Sequence, residues 1–314
     1  MIKLKKNSIK FKSFVLSLVM GLLLVLLLLV FRALYGDEPE KLQEIEPVEE
    51  KEVKVVEFAG IKIDITRQDL FERYDRERIA YCYSHTSSTL ILKRSERYFP
   101  VIEPILKKYG IHDDFKYMAV VESTLDPRAV SPVKAAGLWQ FMEGTGRQYG
   151  LEINDEVDER FHVEKSTEAF CRYMKAAYKY FDDWFMASAS YNVGIGRLER
   201  MSKEQQINNF FDLYLNQETS RYVFRMLVVK EFFSNPEAFG FNVKNMAKYP
   251  KMENIKTVVV DTAVNCWTEF AAQYNCTYAQ LKEANFWIKG QMLTNEENKT
   301  YIVKIPEEGF LKEE

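Results

Sequence analysis

The sequence predicts a mainly α-helical chain with a small β-α-α-β module near its C-terminal end and a membrane-spanning helix near its N-terminal end. Three observations carry this reading. Apolar residues recur at helical spacing through most of the chain between Gln68 and Pro236. Beyond Tyr249-Pro250 the pattern changes to two β-like runs enclosing two short amphipathic ones. Close to the start, an unbroken apolar run follows a cluster of lysines. Hydrophobic residues make up 47% of the 314 residues and aromatics 14%, enough to build a packed core.

The elements follow in order. Residues 1–13 carry Lys3, Lys5, Lys6, Lys10 and Lys12 and no acid. Phe14 to Phe31 is apolar apart from Ser17 and Gly21, and a run of 18 residues just spans a bilayer core as a helix. The lysines place the tail 1–13 in the cytoplasm and the remainder outside it. A cleaved signal peptide is the competing reading. The flank FRALYGDEPE lacks an A-x-A site, since cleavage after Ala33 puts Phe31 at the third position back. No cysteine follows within reach for a lipid anchor. The expectation is therefore a retained anchor at 14–31.

Residues 32–57 read as an acidic linker. Within 37–57 there are nine acidic and three basic side chains, together with Pro39 and Pro47. A body at 58–249 follows. Phe58–Thr66 alternates as a short strand. Helical spacing covers segments near 68–81, 86–98 and 99–109, and Gly110 is placed to stop the last. DDFKYMAVVES is the next helix, with Asp113 or Asp114 as cap. A short helix is expected near Thr145–Gly150, then an irregular acidic passage, GLEINDEVDERFHVEKST. Ser166–Phe181 shows a buried face and DDWFMASASY starts another helix. RLERMSKEQQINNFFDLYL and ETSRYVFRMLVVKEFFSNP complete the body. In 250–314, KTVVVD and KTYIVKIP enclose CWTEFAAQYN and TYAQLKEAN.

Several function classes are set aside. A net charge of −3 gives no basic excess for nucleic acid. Three histidines (His85, His112, His162) and no CxxC motif make a metal site improbable. Four cysteines occur, Cys82, Cys171, Cys266 and Cys276. An exported chain can oxidise such thiols. Cys266 and Cys276 share the small module, and the sequence leaves their pairing open.

The stretch VESTLDPRAVSPVKAAGLWQFM, residues 121–142, holds the chemistry. Phe115, Met118, Ala119 and Glu122 lie at i, i+3, i+4 and i+7, one helical face. The pattern thus sends a carboxyl toward the apolar side, where desolvation raises its pKa. A carboxylic acid that stays protonated near neutral pH is what a general acid requires. The bland alternative is a helix-end Glu turned to solvent. Asp126-Pro127 and Ser131-Pro132 then open a loop. In GLWQFM, Gln140 is the one polar side chain among large apolar ones, a layout suited to a cleft wall.

The string ES-x4-A-x-S-P-x4-GLWQFM-x2-TG resembles the catalytic core of lytic transglycosylases, lysozyme-like helical enzymes of glycoside hydrolase family twenty-three. With Trp139 it is most similar to the membrane-bound D type. The resemblance spans roughly residues 95–240 in spaced blocks. Glu122-Ser123 is the first, and its Glu is the family's sole catalytic acid and base. The second holds Ser131, Gln140 and Met142, whose counterparts line the site. The third, Ala189 to Gly194, resembles A-Y-N-A-G around Tyr191 and Asn192, departing at Ser190 and Val193. The fourth, from Glu218 to Val223, resembles E-T-x-x-Y-V, with Glu218 and Tyr222 as cleft residues. Asn216 stands where a Pro is common. Residues 250–314 resemble a LysM module, a binder of N-acetylglucosamine-containing glycans, on Asp261-Thr262, Phe270-Ala271 and the Leu281…Asn285 spacing. Val260 replaces a usual Gly there, and Ala263 a usual Leu.

The resemblance implies cleavage of peptidoglycan at the β-1,4 bond between N-acetylmuramic acid and N-acetylglucosamine, without added water and without a cofactor. Glu122 protonates the glycosidic oxygen and the substrate acetamido group stabilises the anomeric carbon. Glu122 then takes the C6 hydroxyl proton as a 1,6-anhydro end closes. Tyr191 and Asn192 steady Glu122 or the acetamido group, while Gln140 and Tyr222 hold the glycan. The implied partners are glycan strands and the inner membrane, and the implied place is the periplasmic side of the cell envelope. Two alternatives stand beside this: a muramidase that adds water, and a catalytically idle wall-binding scaffold.

Overall fold

The computed structural model describes residues 54–244 and 246–307, together with residues 23, 25–27 and 30. The chain divides into two units, Met1–Pro47 and Val48–Glu314. In the first, the few described residues are helical. The anchor expected at 14–31 otherwise lies outside the described residues, as does most of the linker. Among the described residues no helix is long and apolar enough to cross a membrane.

The second unit begins with a hairpin, β1 (Val55–Phe58) and β2 (Ile61–Asp64), paired antiparallel with Phe58 opposite Ile61. Ala59 and Gly60 turn it, both at positive φ. Helices α1 (Gln68–Tyr83) and α2 (His85–Lys108) follow. The two segments expected at 86–98 and 99–109 are one helix, which carries Pro100 and Pro104 in its interior. Each proline removes one N–H donor. Burial of Ile91, Leu92, Tyr98, Ile102 and Leu106 on one face holds the helix together across them.

A 3-10 turn at Asp113–Phe115 leads into α3 (Lys116–Ser123). The cap here is neither aspartate. The His112 imidazole accepts from Asp114 N–H, and the Asp114 carboxylate instead takes Ala59 N–H and the Lys230 ammonium, each at 2.7 Å. Short α4 (Glu143–Gln148) precedes α5 (Val163–Phe181), α6 (Trp184–Val193), α7 (Ile195–Gln205) and α8 (Gln217–Ser234). Asp183 caps α6 through Met186 N–H. The helix expected across residues 197–215 ends at Gln205. Gln206 turns left-handed there, and only a 3-10 turn at Phe210–Asp212 follows. Alternating burial of Phe210, Leu213 and Leu215 fits an irregular segment laid on the core better than a helix. Central α8 packs on α1, α3 and α6. Between α1 and α8, buried Glu77 receives Arg221 and Arg225. A buried carboxylate needs such partners.

The small module is β3 (Ile255–Val260), α9 (Trp267–Gln273), α10 (Tyr278–Ala284) and β4 (Tyr301–Pro306), with β3 and β4 antiparallel. Thr277 and Gln280 form a reciprocal capping box on α10. Its core holds Trp267, Leu281, Ile288, Val303 and also Val157 from the body. The acidic passage that looked irregular is a strap. Asp158 N–H donates to Trp287 C=O at 2.9 Å, and Lys289 and Gly290 N–H donate to Glu156 C=O at 2.9 and 3.0 Å. The Glu156 carboxylate accepts Thr294 N–H at 2.8 Å, while Glu152 accepts the Tyr301 hydroxyl. Lys304 meets Glu164. Arg128 meets Glu283 at 3.1 Å and lies over the Phe286 ring. A groove of about 810 Å³ runs along this seam, and its carboxylates are largely engaged in the strap contacts. Cys82, Cys171, Cys266 and Cys276 are unbridged thiols.

Candidate active site

Glu122 ends the apolar face of α3. Phe115, Met118 and Ala119 are fully buried beneath it, and the carboxyl itself is half-buried. Helix α3 stops at once, because Thr124 and Leu125 both adopt left-handed φ, 54° and 57°. Non-glycine residues take that conformation only when their surroundings hold it. Arg94 supplies the hold, donating to Thr124 C=O at 3.0 Å and to Asp126 Oδ2 at 2.9 Å. Leu125 is driven into the core. Ser123 Oγ donates to Ala119 C=O at 3.1 Å and contacts Leu138 C=O at 2.8 Å, tying the helix end to the loop that follows.

That loop is pinned along its length. Ser131 Oγ accepts Ala135 N–H at 3.0 Å, so this hydroxyl closes its own turn. Ala136 and Phe141 exchange backbone hydrogen bonds of 3.1 Å. Gly137 has φ +82°, and a Cβ there would stand 1.8 Å from Arg160 C=O. Arg160 in turn grips Asp158 and donates to Lys134 C=O, the structural role its position among local acids indicates. The Gln140 amide N–H₂ donates to Ala129 C=O at 3.0 Å and Gly137 C=O at 2.8 Å, and no partner of its carbonyl oxygen occurs among the described residues. The stretch GLWQFM is less a cleft wall than expected. Leu138, Trp139 and Phe141 are buried, with the Trp139 ring stacked 3.7 Å from Phe170 and its N–H on Thr167 Oγ1 at 2.9 Å. Met142 is exposed.

Helix α8 brings the partner of the acid. The Tyr222 hydroxyl donates to Glu122 Oε1 at 2.5 Å. Tyr222 was expected to hold glycan, and its hydroxyl instead holds the carboxyl. Tyr191 donates to Trp139 C=O at 2.7 Å, packs edge-on against Phe141, Phe170 and Tyr173, and makes no hydrogen bond to Glu122. Asn192 accepts Thr219 Oγ1–H at 2.8 Å and donates to Glu218 at 3.3 Å. The third and fourth sequence blocks therefore meet each other directly. Ser190, a departure from the pattern, is buried and bonds Ala187 C=O at 2.7 Å. Asn216, a further departure, caps α8 by accepting Thr219 N–H at 2.9 Å.

Burial is the main influence on Glu122 and pushes its carboxyl up to about 7. Glu218 pushes the same way, while Tyr222 donation and the Arg225 charge oppose it. Burial and the negative charge of Glu122 raise Tyr222 and Tyr191 well above the usual phenol range, so both remain donors. A cavity of about 380 Å³ brings Gln140, Met142, Tyr191 and Asn192 together, with Tyr149 and Tyr173 on its walls; Glu122 and Tyr222 do not line it, and the acid meets it through Tyr191. Ser131 and Glu218 are not on that cavity. Among the described residues no three His, Cys, Asp or Glu groups are placed to hold a metal.

Arg225 is the residue at this site that sequence reasoning passed over; Ser123 and Thr219 stood inside the matched blocks but were given no role of their own. Arg225 lies one turn beyond Tyr222, a spacing that places it on the acid's side of α8. Nothing in the sequence marks Thr219 as a partner for Asn192.

This combination, a helical body with a tyrosine-held acid at the end of α3 and a β-α-α-β module joined to it, has counterparts among known proteins. Residues 100–213 match the transglycosylase SLT domain, and residues 256–309 match the soluble lytic transglycosylase C-terminal LysM-like domain. The chain is homologous to the membrane-bound lytic murein transglycosylase D of Escherichia coli (strain K12), at 36% identity over 152 residues, 47% of this chain and 34% of that one. It is 25% identical to the membrane-bound lytic murein transglycosylase F of Pectobacterium atrosepticum over 194 residues, 57% of this chain and 37% of that one. The soluble lytic transglycosylase SLT70 of Escherichia coli matches in structure with TM-score 0.37 at 20% identity, over 48% of this chain and 26% of that one. The chain thus spans about a third of the length of the curated relatives it matches.

Proposed function

We propose that this protein is a peptidoglycan lytic transglycosylase. The observation that carries the proposal is the Glu122 carboxyl, held protonated to about pH 7 and addressed by a phenol donor at 2.5 Å. It is a general acid tuned to neutral pH. A two-carboxylate hydrolase needs a nucleophile or a base about 5–9.5 Å from the acid. The nearby candidates are otherwise employed. Asp126 pairs with Arg94, Glu143 with Arg147, and Glu218 accepts from Asn192. One acid that serves in both directions fits this arrangement.

Glu122 gives its proton to the glycosidic oxygen between N-acetylmuramic acid and N-acetylglucosamine. The C1–O bond breaks as the neighbouring acetamido oxygen supports the anomeric carbon. The C6 hydroxyl of the same sugar then bonds to that carbon and returns a proton to Glu122. No water is consumed, and the product carries a 1,6-anhydro end. Tyr222 fixes the carboxyl through each transfer. The free carbonyl of Gln140, with Met142, Tyr191 and Asn192, lines the space beside it for the glycan. Ser131 and Glu218 hold the rim. Residues 14–31 anchor the chain in the inner membrane, 32–57 tether the lysozyme-like domain 58–249, and the module 250–314 faces glycan in the periplasm.

The test incubates residues 58–314 with purified sacculi and identifies the soluble fragments by mass spectrometry, with Glu122→Gln alongside. Anhydro-ended fragments, lost in the variant, support the proposal. Reducing-end fragments make the protein a muramidase. No fragments from a folded sample make it a scaffold.

A further inference from the structure

We infer that Tyr214 is a stacking platform for a sugar ring of the bound strand, outside the subsites that flank the scissile bond. The inference rests on the glycan-cleaving reading and specifies its substrate contacts. Tyr214 is 85% exposed. A lone exposed tyrosine is ordinary on a protein surface. This one is held in an unusual way. The Gln205 side-chain amide clamps its backbone on both sides, accepting Tyr214 N–H at 2.8 Å and donating to Tyr214 C=O at 2.8 Å. Its neighbours Leu213 and Leu215 are buried, which fixes the register that turns Tyr214 outward. The segment behind it is tied down as well. Asn209 accepts Phe211 N–H at 2.9 Å, and Arg67 grips Phe211 C=O and Asp212. Among the described residues the Tyr214 ring and hydroxyl have no partner.

Its place in the chain keeps it within reach of the site. Tyr214 stands four residues before Glu218, a separation of at most about 14 Å. Glu218 bonds Asn192 on the cavity, and one helical turn further, about 6 Å, Tyr222 bonds Glu122. A strand that leaves the acid along this edge reaches Tyr214 within a few rings. The apolar face of a pyranose stacks on an aromatic ring, and a backbone fixed in advance removes much of the ordering cost of that contact.

The experiment uses the full chain and two variants, Tyr214→Ala and Tyr214→Phe, on sacculus glycan strands and on short alternating N-acetylmuramic acid–N-acetylglucosamine oligomers. Tyr214→Ala is expected to lower kcat/KM on long strands about tenfold through KM, with a smaller loss on the shortest oligomers, and Tyr214→Phe to restore it. Equal losses at every length, no loss, or a Phe variant as impaired as Ala would overturn the inference. Each variant is also titrated with the long strands in the Glu122→Gln background, where binding is read without cleavage. A wild-type protein that cuts nothing removes the enzyme reading and leaves this titration to decide. A tenfold weaker Kd for Ala supports the platform, and an unchanged Kd removes it.

Discussion

At the residue scale the chemistry turns on one carboxyl and one phenol. Burial raises Glu122 to about 7, and donation from Tyr222 holds it lower than burial alone would. In the proposed reaction the active form is the protonated one, so activity is expected to be retained below about pH 7 and to fall as pH rises through that value. Removing the donor disfavours the carboxylate further. Tyr222→Phe is therefore expected to move the alkaline limb of the kcat/KM profile to higher pH, by roughly one unit, while maximal kcat falls. A profile that stays in place, or moves to lower pH, would show that the hydroxyl does not act on Glu122. The raised acid was readable in advance from Phe115, Met118, Ala119 and Glu122 on one helical face. Its partner was not, since Tyr222 lies a hundred residues further along. Only packing of α8 on α3 brings the two together.

At the element scale the decisive piece is the loop between α3 and α4. Its path depends on Gly137, whose left-handed φ and contact with Arg160 C=O exclude any Cβ. Gly137→Ala is expected to cost about 3 kcal/mol or more, seen as a lowered denaturant midpoint, with cleavage lost alongside because Gln140 and Trp139 C=O shift. A variant of wild-type stability would mean that the loop adjusts freely. In the sequence the glycine was legible only as the head of GLWQFM. The reason for it, a carbonyl from another segment, was not. In the same way GLWQFM gave the right composition for a lined cleft, but the fold spends Trp139 on Phe170 and Thr167 and the Gln140 amide N–H₂ on Ala129 and Gly137 C=O. The misplaced helices have local causes. Prolines argued against the single helix α2, and its buried face outweighs them. The pattern in residues 206–215 looked helical, and Gln206 ends it.

At the scale of the whole molecule, body and module share a core. Val157 is 1% exposed among the module's apolar residues, and Glu156 bonds three of the module's backbone N–H groups. The module is thus fixed to the body through the strap 152–165. Val157→Asp buries a charge without a partner. It is expected to lower stability by about 3 kcal/mol and to raise hydrogen exchange at Asp158, Lys289 and Gly290 together with strands β3 and β4. Loosening confined to the strap would show that the module stands by itself. The β-α-α-β order of the module was plain from its sequence. Its attachment was not, because an irregular acidic passage carries no hydrophobic period to mark a buried face.

The sequence by itself determined the helical body, the small module behind it, and the place of Glu122 in line with the apolar face of its helix. Each follows from local periodicity and turn chemistry, which act over a few residues. Tertiary structure alone decided that Tyr222 serves the acid, that Tyr191 serves a backbone carbonyl, and that the acidic passage joins the module to the body. Those outcomes depend on which distant groups are left unsatisfied once the core closes, and a buried polar group takes whichever partner the packing brings within reach.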